Sequence, residues 1–371
     1  MLYQVLFLIL FSSSLCLGFS QDGSKNAATD TVVKGKVGKA LDSYMQKLAE
    51  EKGAAGAVIV SRAGKIILKK GYGFANRTRQ IPNTPKTLFD AGSIPKTFTA
   101  AAVFKLAEGG KLKLDDRISK YFSGAPDDKK EVTIRHLLSH TSGLESYHSD
   151  GDFEDMSREE AVRRCLALKL RWVPGQKEGY SNAGYILLAA LIEQLTGKSF
   201  DDYVAQVLFK SAGMNHTFGY RKQVSGTAAT GYIAGQDKGT STDWLYTWSL
   251  RGTGGMLSDA TDLHRWMLNI SKILNKKSMD ELYRPVLKKW TMGGWERFNE
   301  EGRTLLVKGG VNDFGFSGQI RRYVEDDVLI VFLLNSRPEN ATAFHQKEIG
   351  PALSDIVLDR KHVEKKAVEI N

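Results

Sequence analysis

The sequence predicts an α+β protein, with antiparallel strands near both ends of the chain and a largely helical middle. Apolar runs separated by short polar turns, typical of β-hairpins, occur at residues 57–68 and 316–334. Between them, apolar positions recur mostly at helical spacing. A chain of 371 residues can bury a large core, and we expect one domain over residues 37–358. Its α/β part would come from 37–90 and 290–358.

The predicted elements follow this division, with the mainly helical part over residues 91–289. They are a helix from Val37 to Gly53, a hairpin at 57–68, a helix ending at Gly109, a core helix from Tyr185 to Gly197, a helix opened by Gly252–Ser258, strands at 304–307, 316–323 and 328–334, and a closing helix from Ile349 to Leu358.

The two ends of the chain lie outside this domain. Residues 1–20 carry no charge, and their short apolar run followed by small residues predicts a signal peptide cleaved before Gln21. The run is too short for a stable membrane span, so we expect a secreted or periplasmic protein. Residues 21–36 are predicted to be a flexible polar leader, and 359–371 a polar tail.

Charge and cysteine content exclude some classes. The net charge of +10 arises from scattered lysines and arginines without interleaved aromatic residues, which indicates a solvated surface and no nucleic-acid partner. Affinity for anionic wall polymers or polysaccharides is a minor alternative. Without Cys16, Cys165 is the remaining cysteine, so no disulfide is expected and a buried structural thiol is predicted.

The stretch Phe89–Thr99 contains a serine and a lysine three residues apart. Gly92 permits a tight turn, and Pro95 is tolerated in a first helical turn. Ser93 and Lys96 would then share one helical face. A serine hydroxyl needs a neighbouring base to become a nucleophile, and a lysine with a lowered pKa can be that base.

Other residues give weaker patterns. His136 and His140 are four apart, but no third ligand follows the spacing of a zinc site, so we expect no metal and predict that they hydrogen-bond a loop beside the cleft. Tyr180 and Asn182, if extended, point the same way at the head of the core helix. A Ser-His-Asp hydrolase is not favoured, since the chain has no Gly-x-Ser-x-Gly elbow.

Taken together, these motifs resemble the serine β-lactamase and penicillin-binding-protein superfamily, in its class C-like branch of β-lactamases, D-alanyl-D-alanine carboxypeptidases and esterases. Ser93-Ile94-Pro95-Lys96 is similar to the first motif, Tyr180-Ser181-Asn182 to the second, and Lys308-Gly309-Gly310 to the third. The stretches Arg135–Leu144 and Gly254–Ser258 are also similar to family signatures. The resemblance implies the β-lactamase/transpeptidase-like fold, an antiparallel sheet flanked by helices plus a largely helical region.

The same resemblance implies acyl transfer through a covalent intermediate. Ser93 would attack a carbonyl, Lys96 with Tyr180 would move its proton to the leaving group, and Asn182 would orient Lys96 and the substrate. The oxyanion would be held by the backbone N–H groups of Ser93 and Val311. No cofactor is implied, and we expect a monomer acting on a small molecule or a short peptide.

Gly309 departs from the family pattern, which has a hydroxyl residue there to hold a substrate carboxylate. Losing one charge-assisted hydrogen bond costs about 1.5–3 kcal/mol, or the glycine makes room for a bulkier substrate. We therefore predict an exported serine hydrolase that cleaves a small ester, amide or D-amino-acid peptide. The alternatives are a catalytically silent binding protein on the same scaffold and a true class C-type β-lactamase.

Overall fold

A computed structural model of the protein describes residues 30–146, 153–338 and 344–360. The predicted signal peptide over 1–20 lies outside the described residues, as do the leader before residue 30 and the tail after residue 360.

The described residues form helices in the five predicted regions, in the predicted order, and further helices in the middle of the chain. They are α1 (Gly35–Lys52), α2 (Lys96–Glu108), α3 (Ile134–Leu138), α4 (Arg158–Ala167), α5 (Asn182–Thr196), α6 (Phe200–Val204), α7 (Ala260–Ile273), α8 (Lys276–Leu282) and α9 (Gly350–Val357). The chain after α6 continues through a π-helical turn at Ala205–Phe209.

The strands occur in groups between these helices. They are β1 (Val32–Val33), β2 (Gly56–Arg62), β3 (Lys65–Tyr72), β4 (Phe74–Asn76), β5 (Ile81–Pro82), β6 (Phe89–Asp90), β7 (Phe218–Gly219), β8 (Thr230–Ile233), β9 (Gln236–Thr240), β10 (Met256–Ser258), β11 (Glu296–Glu300), β12 (Arg303–Val311), β13 (Ser317–Tyr323), β14 (Val328–Leu334) and β15 (Ser336–Arg337).

The main sheet joins both ends of the domain. Its order is β1-β3-β2-β14-β13-β12-β11, and each neighbouring pair is antiparallel. The N-terminal hairpin meets the C-terminal strands where β2 pairs with β14, with Val58 opposite Phe332. This arrangement confirms the predicted fold class, an antiparallel sheet built from strands of both chain ends.

Helices cover both faces of the sheet, which explains why its central strand is apolar throughout. Successive strand residues point to opposite faces. In β14, Ile330 and Phe332 pack with Leu41 of α1 and Leu353 of α9. Val331 instead belongs to the larger core, which contains α2, α5 and α7.

Short strands outside the main sheet hold the turn that carries Ser93. β6 pairs with β10, placing Asp90 opposite Leu257, and the Ala91 N–H donates to the Met256 carbonyl at 3.0 Å. The turn that precedes α2 is thereby fixed against the segment that ends at Ser258.

The sequence predicts a flexible leader up to residue 36, but Val32–Val33 pairs with β3 as an edge strand, because two β-branched residues suffice to extend an existing sheet edge. The first helix, α1, then begins at Gly35. The segment at Gly252–Ser258 was predicted to open a helix directly, but its last three residues form β10 and α7 begins at Ala260. Cys165 is buried as predicted, and burial raises the pKa of its thiol to about 12.

Candidate active site

Ser93 lies in a tight turn between β6 and α2. Gly92 adopts a left-handed conformation with φ of +53°, which glycine accommodates without steric cost. The Ile94 N–H donates to the Ala91 carbonyl at 3.1 Å, and the Lys96 N–H to the Ser93 carbonyl at 3.3 Å. α2 therefore starts at Lys96, slightly later than the sequence suggests, and Ser93 still lies one turn before Lys96.

The side chains of Ser93, Lys96 and Tyr180 meet. Ser93 Oγ lies 2.7 Å from Tyr180 Oη, and Lys96 Nζ donates to Ser93 Oγ at 3.2 Å. Lys96 is fully buried, and its Nζ also donates to the Thr253 carbonyl at 2.7 Å. Its Nζ lies 4.9 Å from the centre of the Tyr180 ring. The serine hydroxyl is thus in hydrogen-bond reach of two groups that can exchange a proton with it.

Tyr180 is held by an aromatic cluster that includes a buried histidine. The His140 ring stacks on Tyr180 with centroids 4.6 Å apart, and it also contacts Tyr185 and Trp290. His140 Nδ1 accepts the Ser181 N–H at 3.2 Å, which fixes the residue after Tyr180. Burial and the nearby lysine charges hold the pKa of His140 well below its usual range, so this imidazole is neutral.

The two histidines with helical spacing both accept backbone N–H groups. His136 Nδ1 accepts the Thr133 N–H at 3.3 Å, within the capping box that starts α3, and His140 supports the loop at Ser181. His140 thus orders the loop at Ser181, beside Tyr180, whereas the His136 contact lies within the start of its own helix.

Asn182 is buried and is the first residue of α5. Ser181 is in extended conformation with φ of −145° and caps the helix by accepting the Gly184 N–H. The chain is therefore extended at Ser181 and helical from Asn182, so the second motif spans the junction between loop and helix.

Lys308 lies on β12 at the edge of the same cluster. Its ammonium donates to the Gly294 carbonyl at 2.8 Å and lies 5.7 Å from the centre of the Trp290 ring, which also contacts Tyr180. Burial lowers the pKa of Lys308 to about 7, against a smaller opposing effect of Glu296. Gly309, which follows it, is half-exposed.

The Ser93 turn packs directly on the end of β12. A Cβ added to Gly92 would lie 2.7 Å from the Val311 nitrogen, and one added to Gly310 would lie 2.7 Å from the Ser93 nitrogen. Only glycine at both positions permits this approach without displacement of the backbone. The two N–H groups expected to form an oxyanion hole therefore belong to segments in contact.

Sequence reasoning did not identify several residues around the site. Thr253 contributes a backbone carbonyl, which leaves no side-chain pattern in the sequence, although it lies beside the Gly254–Ser258 signature. Trp290 flanks both Tyr180 and Lys308, and no local pattern distinguishes it from other tryptophans. Asp90 accepts the Gly92 N–H at 2.6 Å and was contained in the Phe89–Thr99 stretch without a role.

A serine, a lysine and a tyrosine gathered between an antiparallel sheet and a helical region define the class: the β-lactamase/transpeptidase-like superfamily. A family model described as Beta-lactamase matches residues 41–349, and the chain belongs to that family.

Similar proteins include a penicillin-binding protein and a teichoic acid D-alanine hydrolase. Penicillin-binding protein 4* of Bacillus subtilis (strain 168) is 29% identical over 345 residues, covering 83% of this chain and 73% of the relative. Teichoic acid D-alanine hydrolase of Staphylococcus aureus (strain NCTC 8325 / PS 47) is 28% identical over 313 residues, covering 81% and 74%. The octameric penicillin-binding protein homologue from Pyrococcus abyssi has a similar structure, with a TM-score of 0.72, 25% identity and coverage of 88% and 78%.

In the part of the chain that the structure describes, none of the helices combines the length and apolar character required to cross a bilayer.

Proposed function

We propose that this protein is a serine hydrolase that cleaves a small ester, amide or D-amino-acid peptide through an acyl-enzyme on Ser93. The observation that carries the proposal is the contact of Ser93 Oγ with Tyr180 Oη at 2.7 Å and with Lys96 Nζ at 3.2 Å. A hydroxyl with a proton acceptor and a proton donor within reach satisfies the geometric requirement for nucleophilic catalysis.

The proposed proton path starts from the Ser93 hydroxyl. Burial raises the pKa of Tyr180 above its ordinary value, so its phenol keeps its proton in the resting enzyme and suits donation to the leaving group. Lys96, in its neutral form, would accept the Ser93 proton as Oγ bonds to the substrate carbonyl carbon. The bond to the leaving alcohol or amine then breaks, and that group departs with a proton delivered through Tyr180.

Hydrolysis of the acyl-enzyme completes the cycle. A water molecule attacks the acyl carbon, passes a proton back along the same side chains, and releases Ser93 Oγ with its proton restored. The Ser93 and Val311 N–H groups would hold the negative oxygen in both steps. Removing one such donor typically lowers the rate by about 10²–10³-fold.

The third motif bears on the substrate class. Lys308 is buried, its pKa is lowered to about 7, and its neighbour Gly309 offers no hydroxyl. A site of this kind supplies only part of a positive charge for a substrate carboxylate at neutral pH. Together with the relative named as a teichoic acid D-alanine hydrolase, this favours esters and amides of small acyl groups over substrates that depend on a terminal carboxylate.

The first test is covalent labelling. Purified protein is incubated with a fluorophosphonate and with a fluorescent penicillin, followed by intact mass and peptide mapping. Ser93→Ala should abolish the adduct, whereas Ser123→Ala, which changes an exposed serine, should leave it intact. An adduct that persists unchanged in Ser93→Ala would overturn the site assignment.

A substrate panel separates the remaining alternatives. We expect turnover of p-nitrophenyl acetate or a D-alanyl ester to exceed that of D-alanyl-D-alanine and of nitrocefin. Faster hydrolysis of nitrocefin would favour the class C-type β-lactamase. A lack of turnover across the panel, with no labelling, would favour the silent binding protein.

We also propose that the protein is exported to a periplasm or beyond the cell, and that it acts as a monomer. The absence of charged side chains in residues 1–20 and the apolar run from Leu2 to Phe11 support export. Mass measurement of the protein from its native host should find Gln21 at the N-terminus, and light scattering during size exclusion should give the mass of one chain. An intact N-terminus or a larger particle would contradict the respective proposal.

A further inference from the structure

Asp90 is a buried carboxylate beside the Ser93 turn, and three groups donate to it. Its Oδ1 accepts the Gly92 N–H at 2.6 Å. Its Oδ2 accepts from the Asn312 side-chain amide at 2.8 Å and from the Tyr220 hydroxyl. Just 1% of Asp90 is exposed, so water cannot substitute for these donors.

These bonds connect the two segments that carry the proposed oxyanion donors. Gly92 immediately precedes Ser93, and Asn312 immediately follows Val311. One carboxylate therefore holds a residue adjacent to each donor, across a separation of 222 residues between Asp90 and Asn312. The contacts of Gly92 and Gly310 set how closely the Ser93 turn and the end of β12 can approach. Asp90 holds the two segments at that distance by hydrogen bonds to both.

Asn312 transmits this constraint into the turn between β12 and β13. Its Oδ1 accepts the Phe314 N–H at 3.0 Å and the Phe316 N–H at 3.1 Å. Its side chain thus uses the amide for Asp90 and the carbonyl for its own turn. The orientation of this amide is fixed from both sides.

We propose that Asp90 is a positioning residue that sets the separation and orientation of the Ser93 and Val311 N–H groups, and so the geometry of the oxyanion hole. This inference rests on the proposed function. Asp90 touches neither substrate nor Ser93 Oγ in the proposal. It acts through Gly92 and Asn312.

The test exchanges the two side chains. In Asp90→Asn the side chain keeps a single acceptor oxygen, so its new amide opposes either the Asn312 amide or the Gly92 N–H, and one end of the clamp is lost. We expect acylation of Ser93 by p-nitrophenyl acetate to slow at least about tenfold, less than the roughly 10²–10³-fold of a donor removed outright, with KM within about twofold. In Asp90→Asn/Asn312→Asp an amide again donates to a carboxylate, and we expect the acylation rate to return within about threefold of the unmodified protein.

A boronic acid inhibitor gives a second readout, since its tetrahedral adduct on Ser93 places an oxygen where the oxyanion forms. Its affinity should fall in Asp90→Asn by the same factor as the acylation rate and recover in the double variant. Asp262→Asn, which alters another fully buried carboxylate that accepts the His216 N–H, should lower the unfolding midpoint without changing acylation.

The outcomes separate this inference from the proposed function. If the unmodified protein does not acylate at Ser93, the proposed function fails, and this inference with it. If it acylates and Asp90→Asn acylates within twofold of it, or the exchange does not restore the rate lost by a folded Asp90→Asn, the inference alone is wrong. Should Asp90→Asn not fold, Asn312→Ala removes the same bridge, and an unchanged acylation rate there overturns the inference equally.

Discussion

Replacing Gly310 with alanine should disable the site while leaving the fold intact. The added Cβ would lie 2.3 Å from the Ala91 carbonyl oxygen, 2.7 Å from the Ser93 nitrogen and 3.1 Å from Gly92 Cα. All three atoms belong to backbone, so no side chain can rotate away. The Ser93 turn and β12 must separate by about 0.7 Å to restore even a 3.0 Å distance to that oxygen.

The size of this displacement determines the expected decrease in the acylation rate. A misplacement of about 1 Å in a reacting geometry costs on the order of 10²-fold in rate, and one oxyanion donor is worth about 10²–10³-fold. We therefore expect Gly310→Ala to slow acylation by roughly 10²-fold. The rise in activation free energy is then about 2.7 kcal/mol, since each tenfold corresponds to about 1.36 kcal/mol.

The assay is stopped-flow acylation by p-nitrophenyl acetate, combined with thermal unfolding. Gly124→Ala is the matched control, because a Cβ there meets open space, and it should acylate at the unmodified rate. A folded Gly310→Ala protein that acylates within threefold of the original would refute the argument that these two segments form the oxyanion hole.

Three further predictions concern the proton path, the charge at the third motif and the core. Tyr180→Phe removes the hydroxyl 2.7 Å from Ser93 Oγ, and kcat should fall by about 10²–10⁴-fold with KM unchanged in steady-state assays; an unaltered kcat would exclude Tyr180 from proton transfer. Because the pKa of Lys308 is lowered to about 7, its charge is present below that pH and lost above it, so KM for an ester bearing a carboxylate should rise about tenfold from pH 6 to pH 8. A neutral ester should show no such rise, and equal profiles for the two would contradict the assignment. Phe98→Ala empties a fully buried position in edge-to-face contact with Trp266 and should lower the free energy of unfolding by about 3–5 kcal/mol in urea titrations, whereas a loss under 1 kcal/mol would show that the core refills the space.

The sequence predicts the long elements well because their patterns are local. The run from Tyr185 to Ile192 is apolar on every side, and the structure buries α5 continuously from Asn182 to Ile192. Periodicity of this kind depends only on neighbouring residues, so it can be recognised in the sequence without knowledge of the tertiary contacts.

The short strands could not be predicted in the same way. β6 has two residues and β10 has three, too few to display the alternation that marks a strand. Their pairing joins Asp90 to Leu257, and nothing in either segment indicates the other. These strands nonetheless position the Ser93 turn.

For the site, the sequence indicated side chains but not the backbone that supports them. Ser93 and Lys96 were suggested by spacing and Tyr180 by its resemblance to a motif, and the structure brings these three together. The Thr253 carbonyl and the Asp90–Asn312 bridge arise only after distant segments have packed. Contacts between such distant segments leave no recognisable pattern in the amino-acid sequence.

Ser93 lies 87 residues along the chain from Tyr180, its hydroxyl partner, and Lys96 lies 157 residues from Thr253, whose carbonyl accepts a hydrogen bond from its Nζ. A growing polypeptide that already contains Ser93 and Lys96 therefore lacks most of what would make the serine reactive. Under the proposed mechanism, Ser93 becomes reactive only after the segments that carry Tyr180 and Thr253 have been made and packed. We therefore expect covalent labelling of Ser93 to recover more slowly in refolding than the helical signal from the local elements.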